Sequence, residues 1–244
     1  MRASFVLVFG LLFGVVARVH AAPVNLIVNG SFEAGALGNG NIPGFTRMNT
    51  PAVSRGSVIA YNNYSLYPTG AQGEPVTPDN AASASPDAAG NQALYFVGDQ
   101  SVDETISQST LLSKGNYEFG FDYYLTANGL AQVNNSKLKV TVIGTTIIET
   151  TITAASTAQH WIHISGVANI ATAGYYDTAL VFNSNGFPSK DFVIDRVFAI
   201  RTNAPPTVII APTPTAPAPV GEPCAAMVLF AGLGMFAMAR RRAA

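Results

Sequence analysis

Apolar and polar residues alternate with a period of two through the middle of the chain, and no window from 25 to 202 keeps a sustained 3.6-residue period. In the segment 117–125 the odd positions hold tyrosine, phenylalanine or leucine, whereas Glu118, Gly120 and Asp122 stand between them. The pattern predicts one strand with these two sets on opposite faces. Further strands are predicted over 93–98, 104–108, 138–142, 146–152, 161–166, 175–183 and 192–201.

Short pairs typical of turns separate these segments: Gly115-Asn116, Asn128-Gly129, Asn134-Asn135, Asn185-Gly186 and Pro188-Ser189. Many short strands at regular spacing predict an all-β fold, an antiparallel two-sheet β-sandwich of the jelly-roll type. The segment 34–90 is rich in Gly, Pro, Asn, Ser and Ala. We expect long loops there around one or two strands, and such loops are where a sandwich carries a binding function.

The N-terminus has the three parts of a signal peptide. Met1-Arg2 precedes the apolar run 3–16, and Val19-His20-Ala21 supplies small residues for a cut after Ala21 or Ala22. An uncleaved anchor is the alternative, but the fourteen residues of this run are short for a membrane span. We therefore expect a signal helix over 1–21 ahead of a domain over 22–202.

The C-terminus combines a second apolar run with a basic end. The sixteen residues 224–239 are mostly apolar and precede Arg240, Arg241 and Arg242. As a helix they would cover about 24 Å of a hydrocarbon core of about 30 Å. The run predicts a short transmembrane helix whose arginines hold its end on the cytoplasmic side, so that the domain lies outside the inner membrane.

With Gly221, Glu222 and Pro223 in front of it, this end resembles the PEP-CTERM tail of Gram-negative bacteria. In that family a Pro-Glu-Pro motif, a short transmembrane helix and a terminal arginine cluster are recognised by an exosortase, which removes the tail. Gly221 stands where the family has its first proline. The resemblance over 221–244 implies an exosortase-like membrane protease as partner, transient anchoring in the inner membrane, and a final place at the cell surface or in the extracellular matrix. A plain membrane anchor is the alternative.

Between the domain and this tail, residues 203–220 carry six prolines in eighteen positions. This density excludes a helix or a central strand and favours an extended polyproline II linker.

The charge of the domain and the position of the only cysteine argue against two classes of function, nucleic-acid binding and cysteine chemistry. Between Glu33 and Arg201 the chain has eight basic and thirteen acidic residues, without a cluster of Lys or Arg that would neutralise a phosphate backbone. Nucleic acid is therefore excluded as an expected partner. The single cysteine, Cys224, lies in the tail, so the domain has no disulfide or thiolate chemistry.

Several short segments of the domain resemble galactose-binding-like jelly-roll modules, a group that includes many carbohydrate-binding modules. They are the opening 25–33, the elements 90–95, 105–108 and 115–117, and the closing 192–197. In such modules a structural calcium often lies between an acidic residue of the first strand and one of the last, and Glu33 and Asp195 occupy the matching positions. Calcium takes six to eight oxygen ligands. A salt bridge, for example from Asp195 to Arg196, is the alternative.

A second candidate site is a sugar-binding patch, since a pyranose presents an apolar face to an aromatic ring and a polar rim to hydrogen-bonding groups. The candidate aromatic residues, which lie outside the clear core alternation, are Tyr61, Tyr64, Tyr67 and Tyr124. Hydrogen-bonding residues near the first three in sequence are Arg55, Asn62 and Asn63. The alternative is that these tyrosines fix a long loop to the sandwich.

Catalytic chemistry has less support. His160 and His163 are three apart, so a strand would point them to opposite faces, and exposure to solvent is the expectation for both. The acidic candidates for a glycosidase pair are expected mostly in turns or on exposed faces: Asp99, Asp103, Asp122, Asp177 and Asp191. We expect a non-enzymatic exported protein with an adhesion or matrix role. A carbohydrate-binding module with defined glycan affinity is the alternative, and an exopolysaccharide hydrolase is the third hypothesis.

Overall fold

A computed structural model gives the structure of the protein over residues 23–38, 40–49, 55–61, 63–67, 81–82, 90–97 and 99–210. Two sheets pack face to face. The five-stranded sheet has the order β1 (Thr46–Met48), β4 (Glu104–Leu112), β9 (Gly174–Asn183), β6 (Ser136–Val142) and β7 (Thr145–Ile152). The six-stranded sheet has the order β11 (Val208–Ile210), β8 (Trp161–Ile170), β5 (Gly115–Tyr124), β10 (Phe192–Arg201), β3 (Gln92–Val97) and β2 (Arg55–Ala60).

The structure confirms the predicted antiparallel-rich β-sandwich. From β3 to β6, and again from β8 to β10, successive strands alternate between the two sheets, as the connections of a jelly roll require. Each strand predicted from the alternation is present, and several extend up to four residues further, as β4 and β8 do. The signal helix and the transmembrane helix of the prediction lie outside the described residues. Within the described ranges, none of the helices combines the length and the apolar character that crossing a membrane requires.

The main core fills the space between the sheets. Phe119 and Phe121 of β5 point inward, in agreement with the alternation, and are fully buried. Phe96 of β3 stacks on Phe192 of β10 with ring centroids 5.8 Å apart, while Phe182 of β9 reaches the same cluster from the other sheet. Burying one such side chain contributes about 1.5–3 kcal/mol, so these rings fix the distance between the sheets.

A second cluster lies on the opposite, outer face of the six-stranded sheet. It is built by residues of β2, β3, β5 and β10 that alternate with the core positions, and Tyr67, Ala81 and Ala82 cover them. The sheet contributes Ile59, Ala93, Tyr95, Val97, Tyr124 and Val193. The outer face is therefore apolar and covered towards β2 and β3, whereas its β8–β5–β10 part carries polar side chains.

Two local predictions require correction. Asn128-Gly129, predicted as a turn, lies in the short helix α1 (Ala127–Ala131), because the Thr126 hydroxyl accepts the Gly129 N–H at 2.9 Å and caps its start. Residues 203–210, assigned to the linker, lie against the sandwich, and Val208–Ile210 pairs in parallel with β8 as an edge strand. Prolines stand outside these three residues, so their N–H groups are free to join the ladder.

Candidate ligand-binding face

The register of three strands assembles the polar part of the outer face. Asp122 of β5 lies opposite His163 of β8 on one side and Asp195 of β10 on the other. Two residues along, Gly120 lies opposite Ser165 and Phe198. Because side chains at i and i+2 share one face of a strand, these residues form one continuous surface.

Asp122 is the centre of this surface. Its side chain is only 2% exposed, and its two oxygens contact two different neighbours. The Nδ1 atom of His163 lies 2.7 Å from Oδ1, and the Nε atom of Arg196 lies 3.0 Å from Oδ2. A carboxylate only accepts hydrogen bonds, so Nδ1 of His163 carries a proton directed at Asp122. The side chains of His163 and Arg196 are 44% and 40% exposed, so both reach solvent while Asp122 holds them from below.

An aromatic floor lies beside these groups. The Phe198 ring is buried and stacks on the His163 imidazole with centroids 5.4 Å apart and planes 6° apart. The Arg196 guanidinium carbon lies 5.8 Å from the centroid of the same ring. Gly120 makes room for it, since a Cβ at that position would lie 2.8 Å from Cζ of Phe198. The absence of a side chain in the middle of β5 therefore permits the stacking.

A β-bulge brings Asp195 and Arg196 to this surface together. The pairing of β10 with β5 shifts register between Asp195 and Phe198, and Arg196 has a φ of 48°. This left-handed conformation is unfavourable for a residue other than glycine and commonly occurs at binding sites. Asp195 is fully buried and accepts a hydrogen bond from the Tyr61 hydroxyl on the outer side of the sheet.

Aromatic rings border the surface at the start of β8, where Trp161 is the first residue of the strand. Trp161 is half-buried and meets Tyr61 edge-on, with centroids 6.0 Å apart. It also contacts Tyr124, with centroids 5.5 Å apart. The Trp161 Nε1–H is buried and has no hydrogen-bond partner among the described residues. Aromatic surface thus continues from Tyr61 and Trp161 towards the His163 and Arg196 side chains.

Five of the residues predicted for a sugar patch fall into different environments. Tyr61 lies at the border of the polar surface, and Tyr64 is 47% exposed in the 3₁₀ helix Tyr64–Leu66. Tyr67 and Tyr124 are buried, which removes their rings from contact with a ligand. Arg55 begins β2, where its backbone pairs with Val97.

Tyr67 and Tyr124 fix a loop segment, which is the alternative that the sequence left open for them. The Tyr67 hydroxyl accepts the Ala82 N–H at 2.7 Å, and the Tyr124 hydroxyl donates to the Ala81 carbonyl at 3.3 Å. Burial raises the pKa of Tyr67 to about 12 and also raises the pKa of Tyr124. Both phenols therefore stay protonated at neutral pH.

Glu33 and Asp195, the predicted calcium ligands, act here as hydrogen-bond acceptors. Oε1 of Glu33 accepts the N–H groups of Asn91 and Gln92, both at 2.8 Å. Asp195 accepts the Arg196 N–H at 2.6 Å in addition to the Tyr61 hydroxyl. These donors use part of the acceptor capacity of each carboxylate, which has about four lone-pair sites on its two oxygens. No three His, Cys, Asp or Glu side chains of the described ranges come together as metal ligands. Calcium at these residues stays a prediction.

Other polar residues differ from the expectation of simple solvation. His163 pairs with Asp122, since the register places the two side by side. Asp99, Asp191 and Asp122 are each buried, whereas Asp103 and Asp177 are exposed. Trp161, Arg196 and Phe198 belong to one surface that the sequence alone did not predict. The alternation of Trp161, His163 and Ser165 along β8 is the pattern that indicates a shared face, but strand pairing is needed to bring it beside Asp122.

No protein-family model and no curated protein sequence matches the chain.

Several solved structures are similar to the chain in fold. The Stig cyclase Fisc from Fischerella sp. TAU, in complex with an indole derivative, is 15% identical over 75% of this chain and 100% of its own, with a TM-score of 0.50. The module TmCBM61 in complex with β-1,4-galactotriose is 19% identical over 73% of this chain and 99% of its own, with a TM-score of 0.42. The xylan-binding domain CBM22-1 of Paenibacillus barcinonensis Xyn10C is 17% identical over 74% and 97%, with a TM-score of 0.41. At these identities the cyclase match shows a shared fold and leaves function to the site.

Proposed function

We propose that the protein is a carbohydrate-binding module whose ligand lies on the β8–β5–β10 part of the outer face. The observation that carries this proposal is the buried Asp122, which holds the exposed side chains of His163 and Arg196 beside an aromatic border. A sugar needs both kinds of group, because its ring has an apolar face while its hydroxyls need fixed hydrogen-bond partners.

The polar groups of this surface are oriented before a ligand arrives. With Nδ1 of His163 bonded to Asp122, Nε2 is the nitrogen left to face a ligand, and Arg196 keeps terminal N–H donors beyond the Nε that contacts Asp122. Two fixed side chains lose little conformational entropy on binding, which favours affinity for a small polar ligand.

The aromatic border supplies the apolar contact. Trp161 and Tyr61 are both half-buried, so each ring is held by neighbours while part of it meets solvent. Tyr61 is fixed further by its hydrogen bond to Asp195. A sugar ring seated against these rings would extend towards His163 and Arg196 along β8.

We propose binding without catalysis. The carboxylates of this face are already engaged, since Glu118 accepts the Ser165 hydroxyl at 2.7 Å while Asp122 and Asp195 are buried and hydrogen-bonded. An exopolysaccharide hydrolase would need a carboxyl group that reaches a bound glycosidic oxygen.

Binding of the purified protein to a glycan array, followed by calorimetry with the oligosaccharide of strongest signal, tests this proposal. The array includes β-1,4-galactan and xylan fragments, the ligands named for two of the neighbours. Trp161→Ala and His163→Ala should each weaken binding by about tenfold or more, since an anchoring aromatic or hydrogen-bonding group contributes about 1.5–3 kcal/mol.

Tyr175→Ala is the matched control, because Tyr175 is an aromatic residue 39% exposed on β9 of the other sheet. Its affinity should equal that of the wild type. Saturable binding that Trp161→Ala and His163→Ala leave unchanged would place the ligand elsewhere, and the absence of saturable binding would leave an adhesion or matrix role without glycan recognition.

We also propose that the protein is exported and sorted to the cell surface or the extracellular matrix of a Gram-negative bacterium. The support is the signal-peptide pattern over 1–21 and the PEP-CTERM-like order of Glu222-Pro223, the apolar run 224–239 and the terminal arginines. Mass spectrometry of the mature protein from envelope and medium tests it. A product that ends near Pro223 supports sorting by an exosortase-like protease, and an intact C-terminus in the inner membrane contradicts it.

A further inference from the structure

The bulge that presents Arg196 is held in place from outside the strand. β3 pairs with β10 only over residues 192–194, so β10 lacks this neighbour over its second half. The N-terminal segment 25–30 takes that position, with Leu26 N–H donating to the Ala199 carbonyl at 2.9 Å and Asn25 bridging to Ile200. The two halves of β10 therefore have different partners, and the bulge lies between them.

Asn25 contacts β10 through both ends of its side-chain amide. Its Nδ2 donates to the Val197 carbonyl at 2.9 Å, and its Oδ1 accepts the Ala199 N–H at 3.0 Å. The side-chain amide thus makes the two hydrogen bonds that a peptide group of a neighbouring strand would make, one to each residue that flanks Phe198. Val197, the residue directly after Arg196, also donates its N–H to the Gly30 carbonyl at 2.9 Å.

The contact leaves little freedom at Arg196. The Val197 N–H is bonded to Gly30 and the Val197 carbonyl to Asn25, so the residue that directly follows the bulge is held on the N-terminal segment. The chain after Arg196 therefore cannot shift along β10, and Arg196 cannot return to an ordinary negative φ, without breaking these bonds. Gly30 approaches so closely that a Cβ there would lie 2.0 Å from the Val197 carbonyl oxygen. The approach fixes the bulge at one position along β10.

From these contacts we propose that Asn25 is a positioning residue for Arg196: it holds the bulge in the conformation that directs the Arg196 side chain to Asp122 and to the ligand. Asn25 itself lies on the flank of β10, and among the described residues its side chain bonds to backbone groups of Val197, Ala199 and Ile27. The inference rests on the proposed function for its ligand, but the Arg196–Asp122 contact that it explains exists without a ligand.

The first test is therefore independent of any glycan. Hydrogen exchange of the Arg196 Nε–H, followed by NMR, reports the contact with Asp122. Asn25→Ala should accelerate this exchange about tenfold or more, because the guanidinium spends less time on the carboxylate. Asn25→Asp keeps the acceptor for Ala199 but sets a carboxylate oxygen against the Val197 carbonyl, so it should accelerate the exchange at least as much as Asn25→Ala.

Asn116→Ala is the matched control. Asn116 of β5 also makes two side-chain hydrogen bonds, since its Oδ1 accepts from Asn169 Nδ2 of β8 at 2.6 Å and its Nδ2 donates to the Ala204 carbonyl at 3.0 Å. Neither of these bonds reaches the bulge at Asp195 and Arg196. Asn116→Ala should lower the melting temperature comparably and leave the Arg196 Nε–H exchange unchanged. Equal exchange rates in Asn25→Ala and the wild type, or equal acceleration in both asparagine variants, would overturn the positioning role.

The second test is a double-mutant cycle in glycan binding with Asn25→Ala and Arg196→Met. If Asn25 acts through Arg196, the double variant binds no more weakly than Arg196→Met alone. Independent, multiplying losses would overturn the inference. If the wild type binds no glycan, the proposed function fails, whereas the exchange experiment still decides the role of Asn25.

Discussion

The Nδ1 atom of His163 lies 2.7 Å from Oδ1 of Asp122, which is buried directly beneath it in the neighbouring strand. The same carboxylate contacts Arg196, so one buried charge on β5 orients two exposed side chains, one on each of the neighbouring strands β8 and β10. Such a charge-assisted pair is stronger than a hydrogen bond between neutral groups, and it keeps both ligand-facing groups in one geometry.

Asp122→Asn tests this arrangement with little change in size. The amide keeps an acceptor for only one of the two partners and removes the charge that holds Arg196 beside His163. We expect glycan affinity to fall about tenfold, with a stability loss of about 1–3 kcal/mol, measured by calorimetry and denaturant unfolding. Asp177→Asn, at an exposed position of β9, should change neither quantity. Unchanged affinity in Asp122→Asn would contradict the orienting role.

Gly120→Ala tests the aromatic floor. The added Cβ would lie 2.3 Å from the Ile164 carbonyl oxygen and 2.8 Å from Cζ of Phe198, so the ring must leave its present position, in which it stacks on His163. Overpacking of this kind costs about 1–3 kcal/mol. We expect that loss in thermal or urea unfolding, together with weaker glycan binding.

Gly56→Ala is the control for this substitution, since its Cβ meets its nearest neighbours at 3.3–3.4 Å on the edge strand β2. It should cost clearly less stability and leave affinity unchanged. If both glycine variants behave alike, the contact between Gly120 and Phe198 does not determine the shape of the surface.

The strands β3 to β10 were predictable from sequence because each combines alternation with flanking turn residues, whereas β1 and β2 lie in a segment for which only one or two unplaced strands were expected. Phe119 and Phe121 were assigned correctly to the core for that reason. The short strand β11 was not, because the surrounding prolines dominate its segment and its pairing with β8 is a long-range contact. The ligand-binding face was missed for a related reason, since Asp122, His163 and Arg196 meet only through the register of three strands and a bulge.

Tyr67→Phe should change the alkaline stability of the protein. Burial raises the pKa of Tyr67 from 10.0 to about 12, so the folded protein holds this proton more tightly than the unfolded chain. The resulting stabilisation is complete below pH 10 and is lost as pH rises through about 12. A shift of two pKa units corresponds to about 3 kcal/mol.

Unfolding free energies measured in urea between pH 9 and 12 check this prediction, because this range spans the ordinary pKa of tyrosine, 10.0, and the raised pKa of Tyr67, about 12. The phenylalanine variant should lose about 1 kcal/mol at neutral pH with the hydrogen bond to Ala82, but decline less steeply than the wild type above pH 10. Parallel declines of the two proteins would show that Tyr67 ionises without resistance from the fold.

Arg47→Met should destabilise the pairing of β1 with β4. Arg47 Nη2 contacts Glu104 Oε1 at 2.7 Å, and the Glu104 side chain is fully buried. Removing the cation leaves a buried carboxylate without its ion-pair partner, although the Ser101 hydroxyl still donates to Oε2 at 2.9 Å, at a cost of about 3–5 kcal/mol. Lys137→Met is the comparison, since its pair with Glu149 has a similar length of 3.0 Å but is exposed, and we expect a loss below about 1 kcal/mol. Equal losses in denaturant unfolding would contradict the role of burial.

The central claim is that the β8–β5–β10 part of the outer face binds a glycan, and NMR titration of the ¹⁵N-labelled protein with the best array oligosaccharide tests it most directly. We predict saturable shifts of the Trp161 Nε1–H, the Arg196 Nε–H and the His163 ring signals, while the amide of Tyr175 on the other sheet stays constant. Shifts confined to the five-stranded sheet, or no saturable shift with any array oligosaccharide, would contradict the account.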